Sequence, residues 1–482
     1  MARLYWALSG VALLLFATLL AYSQTTAFAW DEGFHLLAAQ LIAGGKRPYL
    51  DFFFPQVPLN AFWNAAWMRV FGQFGQGWRI PHALAALEVV GAVVLACDSV
   101  YRLLPEPRWR LPATFFVASA FGLNVAVVQF GPLAQAYGLC LFLIVAAFRA
   151  SIAAVGRRSV LLSLVAGFLS AAAAESSLLT APVAPVLLIW ILAANRAGNR
   201  IARLAAFILG GLIACIPLLW LFAQSPQQVL FGVLKFHLLY RDAKWPGVFS
   251  HDLGVALAWF DCGQALVLVL LAAAGLLFVR RSTWEQPGKS AIYLCGWLTL
   301  AEAVHLLTAH PTFSRYFLFT VPFLAIPGAV GLCAYGEKFS RTGRVRAAVA
   351  VACCFMALGL AKRLYEDHGD FTWSDVEEMA AKVDEVTPPG APLYAEENVY
   401  FLTHRTFLPG MENHDSHKLK LTPTEAARLH VLPRPELDRM IKAGAFSTVQ
   451  SCDDDEIDRL DLAKLYSNKA LIAGCAVFWD RK

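Results

Sequence analysis

Apolar runs long enough to cross a lipid bilayer recur along most of this chain. A transmembrane helix needs roughly 20 mainly apolar residues. Of the 482 residues, 58% are hydrophobic and 16% are charged, whereas a soluble domain usually carries about 25% charged residues. The sequence therefore predicts a polytopic α-helical membrane protein. No part of it resembles a basic patch for nucleic acid, so we expect no nucleic-acid partner.

Eleven transmembrane spans are predicted, and backbone groups in lipid must be hydrogen-bonded within each segment, so the spans are helices. The spans cover residues 4–22, 80–101, 111–127, 132–148, 159–174, 178–194, 204–223, 254–279, 290–308, 316–335 and 347–363. The first run could also be a cleaved signal peptide. A signal anchor is the better interpretation because many spans follow it.

Basic residues are concentrated in one alternating set of the connections between spans. Examples are Arg102 with Arg108 and Arg110, and Arg280 with Arg281. The opposite loops are longer and hold fewer basic residues. Because cytoplasmic loops carry the excess of Lys and Arg, the N-terminus is predicted to be cytoplasmic. With eleven spans the C-terminus lies outside a bacterial cell membrane, in the periplasm or the extracellular space.

The composition changes after residue 363, which divides the chain into a transmembrane module (1–363) and a small α/β outer domain (364–482). Within the latter, 375–386 reads as an amphipathic helix, and 392–395, 447–450 and 471–479 read as strands. Cys452 and Cys475 are the only cysteines of this domain. They could form a disulfide if the domain faces an oxidising compartment.

The first outer loop begins with the sequence Trp30-Asp31-Glu32 and continues as two amphipathic, aromatic-rich helices. Such helices suit the membrane interface, and they place Asp31 and Glu32 at the lipid–water boundary. A carboxylate there can act as a general base on a water-borne acceptor. The alternative is purely structural, with Asp31 as the N-cap of the following helix and Glu32 in its first turn.

Further polar residues lie on the same predicted outer face, and they combine carboxylates with cations that recognise phosphate. These candidate binding residues are His35, Asp51, Glu175, Lys235, His237, Arg241, Lys244, Arg315 and Tyr316. The cations of the 224–253 loop could instead contact lipid headgroups. His305 and His310 show no metal-ligand spacing with a third group.

The first outer loop resembles that of the glycosyltransferase-C superfamily, and in particular the group that includes the dolichyl-phosphate-mannose-protein mannosyltransferases and the bacterial aminoarabinose transferases. The likeness is carried by Trp30-Asp31-Glu32-Gly33-Phe34-His35 and by Pro48-Tyr49-Leu50-Asp51 with Pro55-Gln56-Val57-Pro58-Leu59. Ser314-Arg315-Tyr316 resembles the family's Arg-Tyr segment, and 388–405 resembles part of its small outer domain.

This resemblance implies an inverting membrane glycosyltransferase that moves a sugar from a polyprenyl-phosphate-linked donor to a glycan, lipid or protein acceptor at the outer face. Asp31 matches the catalytic acid, with Glu32 beside it, and Arg315 with Tyr316 would lie near the donor phosphate. The second outer loop lacks the acidic residue that many members carry; Gln135 is nearest. Glu175 or Asp51 could replace it, and dependence on a divalent metal stays open.

The alternative function is a lipid or solute transporter without transfer chemistry. Transporters place ionisable residues near the bilayer midplane, and Glu88 and Glu302 are the candidates for such a site. A cleft where Asp31, Glu32 and Arg315 converge would favour the enzyme, and a midplane cavity around either glutamate would favour transport.

Overall fold

The structure, a computed structural model, describes residues 2–72, 77–194, 199–244, 248–309, 311–338 and 345–482. Helices dominate the first three quarters of the chain. They are α1 (Ala2–Thr25), α2 (Glu32–Ala43), α3 (Leu59–Phe71), α4 (Arg79–Leu103), α5 (Pro107–Gly122), α6 (Val125–Phe130), α7 (Tyr137–Gly156), α8 (Val160–Ser176), α9 (Val183–Ala194), α10 (Arg200–Ala214), α11 (Ile216–Gln224), α12 (Pro226–Leu230), α13 (Phe236–Lys244), α14 (Val248–Asp261), α15 (Gly263–Arg281), α16 (Gln286–Thr308), α17 (Val321–Lys338) and α18 (Val345–Glu366).

Seven helices in the described part are long and apolar enough to cross a membrane, or eight if α10 and α11, bent by 57°, form one span. The helices α8 and α9 are apolar but shorter. Each of the eleven predicted spans overlaps a helix, but several are not single helices with the predicted bounds. The span predicted at 111–127 is broken between α5 and α6, at Leu123 and Asn124, and the span predicted at 204–223 is bent between α10 and α11, at Cys215. The span predicted at 132–148 begins at Tyr137, because a non-helical segment follows Pro132. The span predicted at 254–279 is broken between α14 and α15, at Cys262.

Glycines allow two pairs of helices in the bundle to pack with their backbones in close contact. A Cβ atom on Gly167 of α8 would lie 2.0 Å from the carbonyl oxygen of Phe207 in α10, and one on Gly275 of α15 would lie 1.9 Å from that of Pro327 in α17. Small residues permit this approach where lipid provides no hydrophobic drive for helix association. The α17 helix, which follows the Arg315 segment, is thereby held in the middle of the bundle.

The outer domain follows α18 and contains a four-stranded sheet in the order β1-β2-β4-β3. Its elements are α19 (Trp373–Val386), β1 (Leu393–Tyr394), α20 (Glu397–Thr403), α21 (Pro423–Arg428), α22 (Arg434–Ala443), β2 (Thr448–Ser451), α23 (Asp454–Leu460), α24 (Leu462–Leu465), β3 (Tyr466–Ile472) and β4 (Cys475–Arg481). Only β1 and β2 pair in parallel. The predicted amphipathic helix and the first two strands are confirmed.

The third predicted strand, 471–479, is wrong as a single element. The chain turns at Ala473 and Gly474, both with positive φ (46° and 86°), and β3 and β4 form an antiparallel hairpin on either side. The apolar residues of β3 and β4 make one continuous run in sequence. The turn was missed because only Gly474 indicates it, and a lone glycine also fits a bulge within a strand.

The outer domain shares its hydrophobic core with the first outer loop. Leu36 and Leu37 of α2 are buried in the same cluster as Trp373 of α19 and Val399 of α20. The contact is close enough that a Cβ atom on Gly33 would lie 2.9 Å from the backbone nitrogen of Asn398. The α2 helix therefore lies between the membrane module and the outer domain and is enclosed by protein on both sides.

Cys452 and Cys475 form a disulfide between the end of β2 and the start of β4. These strands are antiparallel neighbours, and the two Cα atoms are 4.1 Å apart. The other eight cysteines are free, and most of them lie in helices of the membrane module. A disulfide of this kind persists in an oxidising compartment, which agrees with an outer location for the domain.

We expect the denatured protein to react with eight equivalents of a thiol reagent before reduction and with ten after it, because Cys452 and Cys475 are joined. Intact mass spectrometry of alkylated protein measures both numbers. A Cys475→Ser variant is the control, and it should show nine reactive thiols without reduction. Ten reactive thiols in unreduced protein would contradict the disulfide.

Candidate active site

Glu32, the first residue of α2, is a fully buried carboxylate with three hydrogen-bond donors around it. Oε1 contacts Nε2 of His82 at 2.5 Å and accepts a hydrogen bond from the backbone N–H of Ala134. Oε2 accepts a hydrogen bond from the indole N–H of Trp373 at 2.9 Å. These partners belong to α4, to the segment before α7 and to α19. Glu32 thus joins the membrane module to the outer domain at one point.

His82 has oxygen neighbours on both ring nitrogens. Nδ1 lies 2.7 Å from the carbonyl oxygen of Ser23, which can only accept, so Nδ1 carries a proton. The other nitrogen, Nε2, faces Oε1 of Glu32. Both side chains are completely buried. A buried ion pair of this kind is held by its hydrogen bonds, and removal of one partner leaves an uncompensated polar group.

Aromatic rings enclose this buried pair. Trp373 stacks on Trp78 with ring centroids 5.1 Å apart and an angle of 11° between the planes, and Phe28 meets Trp373 edge-on. On the outside, Glu377 accepts hydrogen bonds from the indole of Trp78 and from Arg79. The first residue of α2 is therefore immobilised, and Asp31, the residue before it, has a defined position.

Asp31 occupies the N-cap position of α2, but its side chain makes no capping hydrogen bond. Its carboxylate instead accepts a hydrogen bond from the guanidinium of Arg315 at 2.8 Å. Asp31 and Arg315 are 284 residues apart, and their side chains are 47% and 26% exposed. The structure therefore brings together the two residues that the sequence interpretation placed at the acceptor and at the donor phosphate, at a place that a ligand can reach.

The guanidinium of Arg315 is oriented by three aromatic residues. Nε donates to the hydroxyl of Tyr137 at 3.2 Å, and the guanidinium carbon lies 4.4 Å from the ring centroid of Phe313 and 5.6 Å from that of Tyr316. Arginine is attracted to ring faces while its N–H groups remain available at the edge. Tyr137 was missed from the sequence, because nothing in its apolar helix distinguishes it from a packing residue.

The segment that carries Arg315 is fastened at Thr312. The carboxylate of Asp252 accepts a hydrogen bond from the backbone N–H of Thr312 at 2.7 Å, and Nε2 of His251 lies 3.2 Å from its carbonyl oxygen. Asp252 is buried. The α14 helix therefore holds both backbone groups of a residue three positions before Arg315, and it limits the movement of the guanidinium.

The outer domain also reaches this region. The hydroxyl of Tyr240 in α13 donates to Asp415 at 3.1 Å, and Asp415 pairs with Lys418 in the short 3-10 turn His414–Lys418. Burial, together with the negative charges of Asp415 and of Asp31, raises the pKa of Tyr240. Asp31 is thus close enough to act on Tyr240 electrostatically. Asp415 could not be found from sequence, because its domain contains no catalytic motif.

Two other candidates of the first loop have structural surroundings. His35 is buried between Phe34 and Phe54, and burial lowers its pKa to about 3, so it is neutral at pH 7. Asp51 accepts hydrogen bonds from the guanidinium of Arg47 at 3.0 Å on both oxygens, and this contact keeps the pKa of Asp51 below its usual value. Neither side chain has a described contact with Asp31 or Arg315.

The remaining candidates are spread more widely. Glu175 is buried, and its Oε2 has no hydrogen-bond partner among the described residues, while His237 is exposed. Lys235 is exposed and Arg241 is half-buried. The side chain of Lys244 lies outside the described part of the structure, and so does His310. His305, for which the sequence shows no metal-ligand spacing, contacts the carbonyl oxygen of Leu178.

The described surroundings of Asp31 include a cation. Within the described ranges no three His, Cys, Asp or Glu side chains are gathered for a metal, and the Asp31 carboxylate contacts the guanidinium of Arg315. A nearby arginine favours the binding of an anion such as phosphate.

We expect Glu32→Gln to destabilise the protein by about 3 kcal/mol. A glutamine amide can accept on only one side, so its NH2 group would face a donor of either Trp373 or the His82–Ala134 pair. The midpoint of thermal unfolding in detergent measures the effect. Glu377→Gln is the control, because this carboxylate also binds an indole but is 39% exposed. An equal loss in both variants would contradict a special role for Glu32.

The amino-acid sequence matches no family model and no curated protein, but the fold matches solved structures. ArnT from Cupriavidus metallidurans bound to undecaprenyl phosphate aligns with a TM-score of 0.70 at 15% identity, over 99% of this chain and 98% of that one. Its apo state aligns with a TM-score of 0.69 at 16% identity, with the same coverage.

A second similar protein is the archaeal oligosaccharyltransferase AglB from Archaeoglobus fulgidus, in complex with an inhibitory peptide and a dolichol-phosphate. It aligns with a TM-score of 0.54 at 13% identity, over 97% of this chain and 73% of that one. ArnT and AglB are membrane glycosyltransferases of the glycosyltransferase-C fold. The resemblance of the first outer loop is thereby confirmed at the level of architecture, and the chain has the glycosyltransferase-C fold.

Proposed function

We propose that this protein is an inverting membrane glycosyltransferase, which moves a sugar from a polyprenyl-phosphate-linked donor to an acceptor hydroxyl or amine at the outer face of the membrane. The observation that carries the proposal is the contact between Asp31 and Arg315 at 2.8 Å. It joins a carboxylate that can accept a proton to a guanidinium that can bind a phosphate, on one partly exposed site. ArnT and AglB, which bind polyprenyl phosphates in their solved structures, support the donor class.

The ion pair suggests how the donor prepares the site. Arg315 holds the Asp31 carboxylate, and the guanidinium has further N–H donors for a lipid phosphate. A phosphate that binds Arg315 competes with Asp31 for it. The carboxylate is then free to accept a hydrogen bond from the acceptor, so the base becomes available only when a donor is present.

The reaction is a single displacement at the anomeric carbon. Asp31 takes the proton of the acceptor as the acceptor forms its bond to that carbon. The bond between the carbon and the phosphate oxygen breaks, and the electron pair leaves with the lipid phosphate. Its charge is met by Arg315, which Tyr137 and the ring of Phe313 hold in place. Glu32 is enclosed by protein, and in this proposal it positions Asp31 rather than touching substrate.

The proposal also specifies the side of the membrane on which the site lies. The positive-inside bias of the loops supports a non-cytoplasmic location for Asp31, Arg315 and the outer domain, and the disulfide of the outer domain suits an oxidising compartment. A sugar carried on a polyprenyl phosphate is available at a membrane surface. In this proposal Asp415 of the outer domain, which accepts a hydrogen bond from Tyr240, lies at the edge of the acceptor site.

Asp31→Asn should reduce sugar transfer by about 10²–10⁴-fold, the usual contribution of a general base, without loss of folding. Transfer of radiolabelled sugar from polyprenyl-phosphate donors in membranes, tested on lipid, glycan and protein acceptors, measures the rate. The matched control is Asp384→Asn, since Asp384 pairs with Arg405 at 2.7 Å and is 50% exposed. Full activity of Asp31→Asn would exclude this mechanism.

Arg315→Gln should lower kcat by about 10²–10³-fold, because the charge on the departing phosphate would lose its main partner. Arg315→Lys keeps the charge but loses the planar guanidinium that can donate two parallel hydrogen bonds to a phosphate, and we expect an intermediate rate. The donor KM should rise in both variants, while the acceptor KM should change less. A loss that appeared only in the acceptor KM would place Arg315 on the other side of the reaction.

A further inference from the structure

A groove separates the amphipathic segment 226–244 from the outer domain. Its volume is about 510 Å³, and Leu230, Lys235 and Leu238 line one wall while Leu421, Glu425 and Arg428 line the other. The second wall belongs to α21 and the residues before it. Arg315 and Asp31 do not line this groove, so it is distinct from the proposed active site.

The floor of the groove is apolar and well packed. Phe231 is buried and meets Phe53 of the first loop at 5.7 Å between ring centroids, and Ala426 and Leu429 of the outer domain belong to the same buried cluster. The wall containing Lys235 includes the π-helical turn Phe231–Lys235, a feature that often marks functional sites in helices.

The polar groups of the groove are mainly cationic. The ammonium group of Lys235 forms no hydrogen bond or ion pair with any described residue, and the guanidinium of Arg428 forms no described hydrogen bond. Glu425, the one acid, accepts hydrogen bonds from the backbone and hydroxyl of Thr422 in a capping box at the start of α21. Its carboxylate is thereby held at the helix N-terminus, where it also interacts electrostatically with Arg428, and neither cation forms a described hydrogen bond that would compete with an anion.

The exposed surface of the same helical segment is apolar, and part of it lines the groove. Leu230, Leu234 and Leu238 recur at intervals of four residues and are 41%, 50% and 51% exposed. They continue a line of exposed apolar side chains from α11, where Trp220 is 52% exposed. Such a stripe beside basic residues is typical of a helix at the membrane interface. A soluble anion would use the cations of the groove but not these leucines.

We propose that this groove binds an anionic phospholipid of the surrounding bilayer, with its phosphate between Lys235 and Arg428 and its acyl chains along the exposed leucines. The lipid would join α13 to the outer domain, the two parts that the hydrogen bond between Tyr240 and Asp415 also joins near Asp31. It would therefore hold the outer domain against α13. This site needs no sugar donor, so it stands apart from the proposed function.

The test uses the full-length protein, delipidated in neutral detergent and then supplied with phosphatidylglycerol or phosphatidylcholine. Native mass spectrometry counts retained lipid, and the thermal unfolding midpoint reports stabilisation. We expect about tenfold tighter retention of phosphatidylglycerol, which corresponds to about 1.4 kcal/mol, and a higher midpoint with that lipid alone. The double variant Lys235→Ala/Arg428→Ala should lose both effects, with an unchanged midpoint in detergent.

The matched control is Lys442→Ala/Arg439→Ala, which removes one exposed lysine and one exposed arginine from α22 of the same domain; it should keep the preference. Equal retention of both lipids by the native protein would overturn the proposal. Equal stabilisation by inorganic phosphate would show an anion site without lipid, and displacement of phosphatidylglycerol by polyprenyl phosphate would assign the groove to the donor; either result also overturns it.

Discussion

The buried carboxylate of Glu32 is the interaction on which the arrangement of this protein depends. It receives hydrogen bonds from a transmembrane helix, from the segment before another one and from the outer domain. Each of these parts could pack in several ways by hydrophobic contact alone, since apolar burial has little directional preference. A buried carboxylate with three directed hydrogen-bond partners allows only one of these packing arrangements, because any other arrangement would leave polar groups without a partner.

The buried position of Glu32 determines where its neighbour in sequence, Asp31, is held. Glu32 is enclosed, whereas Asp31, the residue before it, is partly exposed and contacts Arg315. A rigid neighbour thus holds a reactive group that is itself accessible. The same division appears around Arg315, where Tyr137 orients the guanidinium and Asp252 fastens the backbone upstream, while the N–H groups stay within reach of a phosphate. Preorganised groups of this kind stabilise developing charge without reorganisation.

Much of this could be predicted from residues alone. The apolar runs and the two helices of the first outer loop depend on local composition and period, which sequence displays directly. Asp31 and Arg315 were found as candidates because they lie in short motifs on one predicted face. Tyr137, His82, Trp373 and Asp415 were not found, because each acts through a partner that is distant in sequence. The hairpin of β3 and β4 was missed for a smaller reason, the weak turn signal of one glycine.

The sequence by itself determined the class of protein, the approximate positions of the apolar helices and the candidate residues for acid–base and phosphate chemistry, since these follow from hydropathy, charge and side-chain type. Only the tertiary structure decided which acid is buried and which is exposed. Asp31 and Glu32 are neighbours with the same functional group, and a helix turn of roughly 100° between them sends one to Arg315 and the other to His82 and Trp373. That difference arises from contacts across 284 and 341 residues of chain, which no local pattern contains.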